Sequence, residues 1–264
     1  MRKKKILIFT DLDGSLLDKE TFKFDVIKDY FKELVRNGII IIPNSSKTEA
    51  ELLDFNKQNN LDLSFIAENG SSIHRLNKIH QNLPDKIIIS RTIDEIRNIY
   101  EENISLDFEN KITHILELER EKQQKILGLP LDKIKLAIKR DHSIPIKFNG
   151  TESEKNEFTK ILKNSGLTIQ TGGRIMNVCD NVNKSKAMSR ALRLIRKQLD
   201  DEIITIGVGD NENDIEMIKN TDYPCLVKNE NFDSSLINID NLIKSDEPSP
   251  KGWSDVIKTA LQKI

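Results

Sequence analysis

The chain has 264 residues, with 41 Lys and Arg against 42 Asp and Glu and a formal charge of -1. That balance excludes the basic surface that nucleic acid or an anionic membrane requires. No apolar stretch approaches the roughly 20 residues that span a bilayer, and the apolar run after residues 2–5 is too short for a signal-peptide core.

In chain order, Ile6, Leu7, Ile8, Phe9 and Thr10 form a continuous apolar run, as expected for a strand covered on both faces in a parallel sheet. Asp11-Leu12-Asp13-Gly14-Ser15 follows directly. Residues 25–37 carry Val26, Ile27, Tyr30, Phe31, Leu34 and Val35 at helical spacing, and Gly38 is a ready stop. Residues 39–43 predict a second buried strand, residues 45–48 the caps of a helix through Asn59, and residues 65–68 a third strand. The alternation resumes with a helix over 185–199, a strand over 203–207, a helix from Asn213 and a strand over 225–227. This order predicts βαβ units and an α/β fold built on a doubly wound parallel sheet.

The middle of the chain reads differently. A strand over 87–89 precedes helices over 92–102, 119–127 and 132–139, then an extended stretch over 144–148 and a helix over 154–164. Thr171-Gly172-Gly173 between two apolar runs is a hairpin signal. The predicted division is a core of residues 1–82 and 180–264 and an inserted α+β cap at 83–179, with hinges at Leu83-Pro84 and residues 179–183. Ligands of open α/β sheets sit beyond the carboxyl ends of the strands, where such a cap closes over them. The tail, residues 241–264, reads as a wrap-around segment ending in a short helix.

Four segments carry chemistry, each after a predicted strand. Asp11 and Asp13 place two carboxylates at a strand end. Such a pair repels unless a cation lies between them or one takes a proton, and Mg²⁺ suits oxygen ligands and phosphate-bearing substrates. Read blandly, the same residues are a strand followed by an Asx turn. Ser45-Ser46-Lys47 puts hydroxyls and a cation at a helix N-terminus, where anions are favoured, although capping alone also explains serines there. Lys184 opens the next helix, and taken alone it reads as a surface lysine. In Gly207-Val208-Gly209-Asp210-Asn211-Glu212-Asn213-Asp214, the two last aspartates share a helix face. No third glycine follows at dinucleotide-loop spacing, and no P-loop motif is present. Together the segments point to Mg²⁺-assisted phosphoryl transfer. Asp11 attacks phosphorus, Asp13 serves as acid and then base, Ser45 and Lys184 hold the phosphoryl oxygens, and the metal lies among Asp11, Asp13 and Asp210. Cys179 and Cys225 offer neither a disulfide framework nor zinc spacing, and the four histidines are scattered. The expectation is a soluble cytoplasmic protein.

In order, these four segments resemble the motifs of the haloacid dehalogenase superfamily of phosphatases. The resemblance implies a Rossmann-like core with a large cap, Asp11 as nucleophile, and Asp13 as acid/base that also lends a backbone carbonyl to the metal. It further implies Asp210 as metal ligand and Asp214 orienting the lysine or a metal-bound water. A narrower resemblance, to mannosyl-3-phosphoglycerate phosphatases, covers nearly the whole chain. It rests on the segment from Ser45 to Glu51, Ala67-Glu68-Asn69-Gly70, Leu127-Gly128-Leu129-Pro130, the segment from Ala137 to Pro145, Gly172-Gly173-Arg174 and Gly252-Trp253. It implies substrate contacts at Ser46, Lys47, Asn69, Arg140, Ser143, Arg174 and Asn213. Lys47, Arg140 and Arg174 suit a substrate with both phosphate and carboxylate, although Arg140 also reads as a helix-end arginine. His142 reads either as a sugar contact or as packing. The departures lie mostly in the cap, at Asp141, His142, Ile144, Ile175 and Met176, with Ser185 in place of the usual glycine. The implied partner is a phosphorylated sugar, mannosyl-3-phosphoglycerate first, with glucosyl-3-phosphoglycerate or sucrose phosphate as alternatives. Two rivals are a phosphomannomutase-like phosphotransferase and a non-catalytic sugar-phosphate sensor.

Overall fold

A computed structural model describes residues 3–172 and 175–264. Its first strand, β1 (Lys4–Thr10), lies in the interior of a sheet, as its apolar side chains on both faces require. Ile8 joins a cluster with Phe31, Leu34 and Trp253, whereas Leu7 and Phe9 meet Ala191, Ile195 and Met217 on the other side. The period of 2 along a strand produces that division.

After β1 come α1 (Lys28–Arg36), β2 (Ile40–Pro43) and α2 (Glu49–Asn59). Thr48 accepts from the Glu51 N–H and Glu51 reaches back, a capping box that sets where α2 begins. Three short strands, β3 (Phe65–Ala67), β4 (Ser72–His74) and β5 (Lys86–Ile88), pair antiparallel in the order β3-β4-β5. Next come α3 (Ile93–Asn103), α4 (Leu106–Glu109), β6 (Ile112–His114), α5 (Arg120–Leu127) and α6 (Leu131–Ala137). They lead into β7 (Ser143–Phe148), α7 (Glu152–Asn164), β8 (Leu167–Gly172) and β9 (Ile175–Asp180). The chain finishes with α8 (Lys184–Gln198), β10 (Glu202–Gly209), α9 (Glu212–Lys219), β11 (Tyr223–Lys228), β12 (Ile243–Pro248) and α10 (Lys251–Gln262).

The central sheet is parallel throughout, in the order β12-β11-β10-β1-β2. Residues from α1 and α10 cover one face, and residues from α8 and α9 cover the other. This is the predicted doubly wound core. A second sheet, antiparallel in the order β6-β7-β9-β8, has its own cluster with Ile96, Tyr100, Phe158 and Leu162 from α3 and α7. The hairpin expected around residue 172 is the β8–β9 pair. Arg91 ties the two chain crossings together, because its backbone N–H and side chain both donate to the Asp180 carboxylate.

Two expectations need correction. The third strand does not extend the parallel sheet: β3 meets β2 through a single bridge, Asn44 with Ile66, and pairs with β4 instead. Glu68 and Asn69 take positive φ, so the chain turns back at once rather than crossing over. The tail ends in a helix as expected, but the segment before that helix does not simply wrap around the core. The tail supplies edge strand β12 and the 12-residue helix α10, whose Trp253, Val256, Ile257 and Ala260 are buried against the sheet. The local Pro and Gly content hid this, although the apolar residues of α10 recur at helical spacing. No helix among the described residues is long and apolar enough to cross a membrane.

Trp253 is fully buried, and its Nε1–H donates to Thr10 Oγ1 at 2.9 Å. Trp253→Ala is therefore expected to lower unfolding free energy by about 3–5 kcal/mol. Urea denaturation measures this, and a midpoint equal to that of the wild type contradicts the packing described.

Candidate active site

The site lies where the central strands end. Asp11 follows β1, Ser45 to Lys47 follow β2, Asp210 follows β10, Asn229 follows β11, and Lys184 is the first residue of α8. Their side chains converge because parallel strands deliver their carboxyl ends to one edge of the sheet. A cavity of about 910 Å³ opens there. Asp11, Asp13, Lys47, Lys184 and Asp210 line it from the core, and Ile115, Leu127, Leu129, Ile138 and Arg140 line it from the other side.

Charge compensation organises its floor. Lys184 Nζ lies 2.6 Å from Asp11 Oδ1 and 2.7 Å from Asp214 Oδ1, with all three groups buried. Burial opposes the charge of Lys184, but Asp11 and Asp214 outweigh it and hold its pKa above the usual lysine range. Asp11 moves the other way. Burial raises its pKa well above the carboxylate range, the charges of Asp214 and Asp210 add to that, and Lys184 offsets only part. Burial, with Asp214 beside it, pushes Asp210 up to about 6.

Local structure aims each group. Asp11 N–H still belongs to the ladder, donating to Val208 O at 2.9 Å, and the chain then turns, with Leu17 N–H on Leu12 O at 2.7 Å. Gly14 has φ +86°, and a Cβ there would lie 2.6 Å from Asp210 Oδ2. Only glycine suits both the left-handed turn and the close approach of that carboxylate. Asp214 sits in the first turn of α9, where Oδ2 accepts from the Asp210 and Asn211 N–H groups at 3.1 and 3.2 Å. Thus it caps the helix with one oxygen and holds Lys184 with the other.

The carboxylates suit a divalent cation. Asp11, Asp210 and Asp214 each offer an oxygen within 4.8 Å of the others. Three carboxylates against the one ammonium of Lys184 leave two formal negative charges, and a divalent cation supplies that deficit. Asp13 Oδ1 is buried and without a hydrogen-bond partner among the described residues. The predicted ligands Asp11 and Asp210 both belong to this cluster, whereas the contribution predicted of Asp13 is its backbone carbonyl. The Asp13 carboxylate is turned to Lys47 Nζ at 2.7 Å, and Asp214 is the third acid.

The other predicted residues divide between the cavity wall and the layer behind it. Ser46, Lys47, Asn69, Arg140 and Asn213 line the cavity, whereas Ser45, Ser143 and Asp214 are not among its lining residues. Ser45 is fully buried, and its Oγ accepts from Lys47 N–H at 3.3 Å. Burial lowers the charge preference of Lys47, but Asp13 and Glu51 raise its pKa above the usual range, so its ammonium is first of all the partner of Asp13. The Ser143 hydroxyl donates to Glu68. His142 is buried, with Nδ1 2.9 Å from Arg91 O, which favours its packing role. Arg174 lies outside the described residues.

Sequence reasoning passed over several partners. Ser15 Oγ donates to Asp210 Oδ1 at 2.8 Å, and Asn229 Nδ2 donates to Asp210 Oδ2 at 2.8 Å. Asn44 Nδ2 donates to Lys184 O at 2.9 Å. Asn229 and Asn44 each follow a strand of the central sheet, the signal that marked the other segments.

A sequence model of the haloacid dehalogenase-like hydrolases matches residues 8–243. The chain belongs to this family. Relatives named glucosyl-3-phosphoglycerate/mannosyl-3-phosphoglycerate phosphatase occur in Methanococcoides burtonii and Persephonella marina. The first is 30% identical over 270 residues and the second 27% over 271, each alignment covering 98% of both chains. Among solved structures, a haloacid dehalogenase-like hydrolase from Bacteroides thetaiotaomicron superposes with a TM-score of 0.66 at 13% identity, over 98% of this chain and 99% of that one. A sugar phosphatase of the superfamily's subclass IIB superposes with a TM-score of 0.63 at 17% identity, over 98% of each. At such identities these two establish the shared fold.

Removing the central cation of this hydrolase leaves two buried carboxylates unpaired. Lys184→Met is expected to destabilise the protein by about 3–5 kcal/mol in buffer free of divalent cations. Chemical denaturation of the two proteins checks this, and equal stability at neutral pH contradicts the assigned bridge.

Proposed function

We propose that this hydrolase is a Mg²⁺-dependent phosphomonoester phosphatase working through an aspartyl phosphate on Asp11. Its proposed substrate is a glycosyl-3-phosphoglycerate, mannosyl first. The observation that carries the reading is the convergence of Asp11, Lys184 and Asp210 beneath a cavity that also presents Arg140. Its volume of about 910 Å³ fits a sugar with a phosphorylated three-carbon acid. The names of the two full-length relatives support the same substrate class.

In this reading Asp11 attacks phosphorus and Asp13 gives its proton to the departing ester oxygen of the glycerate. Water then attacks the acyl phosphate, Asp13 takes a proton from it, and Asp11 and inorganic phosphate are released. Lys184 and the backbone N–H of Ser46 bind the phosphoryl oxygens, and Ser45 supports that loop from behind. Asp11 and Asp210, with the backbone carbonyl of Asp13, would hold Mg²⁺, while Asp214 fixes Lys184. When bound, Mg²⁺ lessens repulsion between these carboxylates and the phosphate. Residues 83–179 act as the cap that reads the leaving group, and residues 1–82 and 180–264 act as the catalytic core. Within those limits β5 is bonded to β4, so the part with its own apolar cluster begins at α3.

Phosphate release from a panel of sugar phosphates is expected to need Mg²⁺ and to favour glycosyl-3-phosphoglycerates. Equal and feeble rates across the panel reject the substrate. With ¹⁸O-labelled water, label is expected in the free phosphate, whereas transfer to a second sugar without labelled phosphate identifies a phosphotransferase. Asp11→Asn is expected to lower kcat about a thousandfold or more while the protein stays folded. Substantial turnover by a folded Asp11→Asn protein removes the covalent mechanism.

A further inference from the structure

The turn at residues 68–70 joins two regions that the reaction needs to keep together. Glu68 and Asn69 have φ of 44° and 56°, conformations that residues other than glycine rarely adopt. Backbone bonds fasten this turn to the catalytic loop: Glu68 N–H donates to Lys47 O at 2.9 Å and Asn69 N–H donates to Ser45 O at 2.8 Å. On its other side the Glu68 side chain reaches the turn before β7. Its carboxylate accepts from the N–H groups of Asp141 at 2.9 Å and His142 at 3.3 Å, and from the Ser143 hydroxyl.

Arg140 completes the contact. Its Nη1 donates to Ser46 O at 3.3 Å and to Ser143 Oγ at 3.1 Å, and lies 3.9 Å from Glu68 Oε2. The side chains of Arg140 and Glu68 are only 8% and 3% exposed, yet Arg140 lines the cavity. Its buried Nε has no hydrogen-bond partner among the described residues. A guanidinium donates through five N–H groups in a fixed fork. Glu68, Ser143 and the Ser46 carbonyl therefore set the plane of that fork without using all of it.

We propose that Glu68 is a positioning residue that straps residues 140–143 to the catalytic loop and so aims Arg140 at a carboxylate of the substrate. That carboxylate is the group not transferred in the reaction. Only an ionised carboxylate offers acceptor sites for two backbone N–H groups, a hydroxyl and a guanidinium together. A glutamine at position 68 supplies one good acceptor and turns an N–H₂ group toward the same donors. None of these contacts involves Asp11, Lys184 or Asp210. The strap therefore governs capture of the second anion rather than phosphoryl transfer. The identity of that anion rests on the phosphoglycerate reading above, whereas the strap does not.

Wild type, Glu68→Gln and Ser143→Ala are compared by hydrogen–deuterium exchange over residues 139–148, by calorimetric affinity for 3-phosphoglycerate with Mg²⁺, and by p-nitrophenyl phosphate turnover. For Glu68→Gln, exchange at Asp141 and His142 is expected to quicken, and affinity for 3-phosphoglycerate to fall about tenfold or more. The kcat for p-nitrophenyl phosphate, which lacks a carboxylate, is expected to be unchanged. Ser143→Ala moves the first two readouts the same way by less, and it stands in should Glu68→Gln fail to fold. Unchanged exchange and affinity, or equal losses on both ligands, overturn the proposal. If the wild type binds no 3-phosphoglycerate, the substrate reading fails instead. Exchange at Asp141 and His142 then decides the strap, and unaltered rates reject it.

Discussion

One ammonium group between two buried carboxylates is the constraint on which the rest of the molecule depends. Lys184 is 2% exposed, and its charge is tolerable there only because Asp11 and Asp214 both touch it. The three groups come from three different elements, so their contact requires β1, α8 and α9 to meet at one corner. In return the charges restrict how those elements can pack, since any slippage strands a charge in a dry site. Asp11 thereby faces the cavity with one oxygen held on Lys184, whose charge offsets part of the burial that raises the pKa of this carboxylate.

Neutral partners carry that order outward. Trp253 Nε1 holds the Thr10 hydroxyl, which itself donates to Asp11 O at 2.7 Å. Ser15 and Asn229 each occupy one oxygen of Asp210. The last helix of the chain is thus connected through two hydrogen bonds to Asp11.

The cavity divides its work between its walls. The core side contributes carboxylates, lysines and the asparagines at positions 211, 213 and 229, while the cap side contributes mostly aliphatic residues and Arg140. Contacts across the seam keep the two walls facing each other. Thr48 Oγ1 donates to Leu136 O at 2.9 Å, and Lys133 Nζ lies 2.6 Å from Asp54 Oδ2. Thr48 also caps α2, so the residue that starts this helix also seats the cap upon it.

The sequence by itself determined the parts whose physics is local. A continuous apolar run made β1 an interior strand, the capping residues 45–48 announced α2, and Gly38 marked where the helix before β2 would end. The acids at positions 11, 13, 210 and 214 were recognisable because each lies in a turn beyond a strand or at a helix start, where a buried fold has little other use for it. Tertiary structure decided which of them touch. It turned Asp13 onto Lys47, brought Asp214 into the acidic cluster and withdrew Ser45 and Ser143 behind the wall. It also placed Glu68 against residues 73 to 75 positions further along, and Ser15 and Asn229 on Asp210. Spacing along a chain constrains neighbours within a turn or two, whereas these contacts depend on the order of strands in a sheet and on how a separate layer settles over its edge.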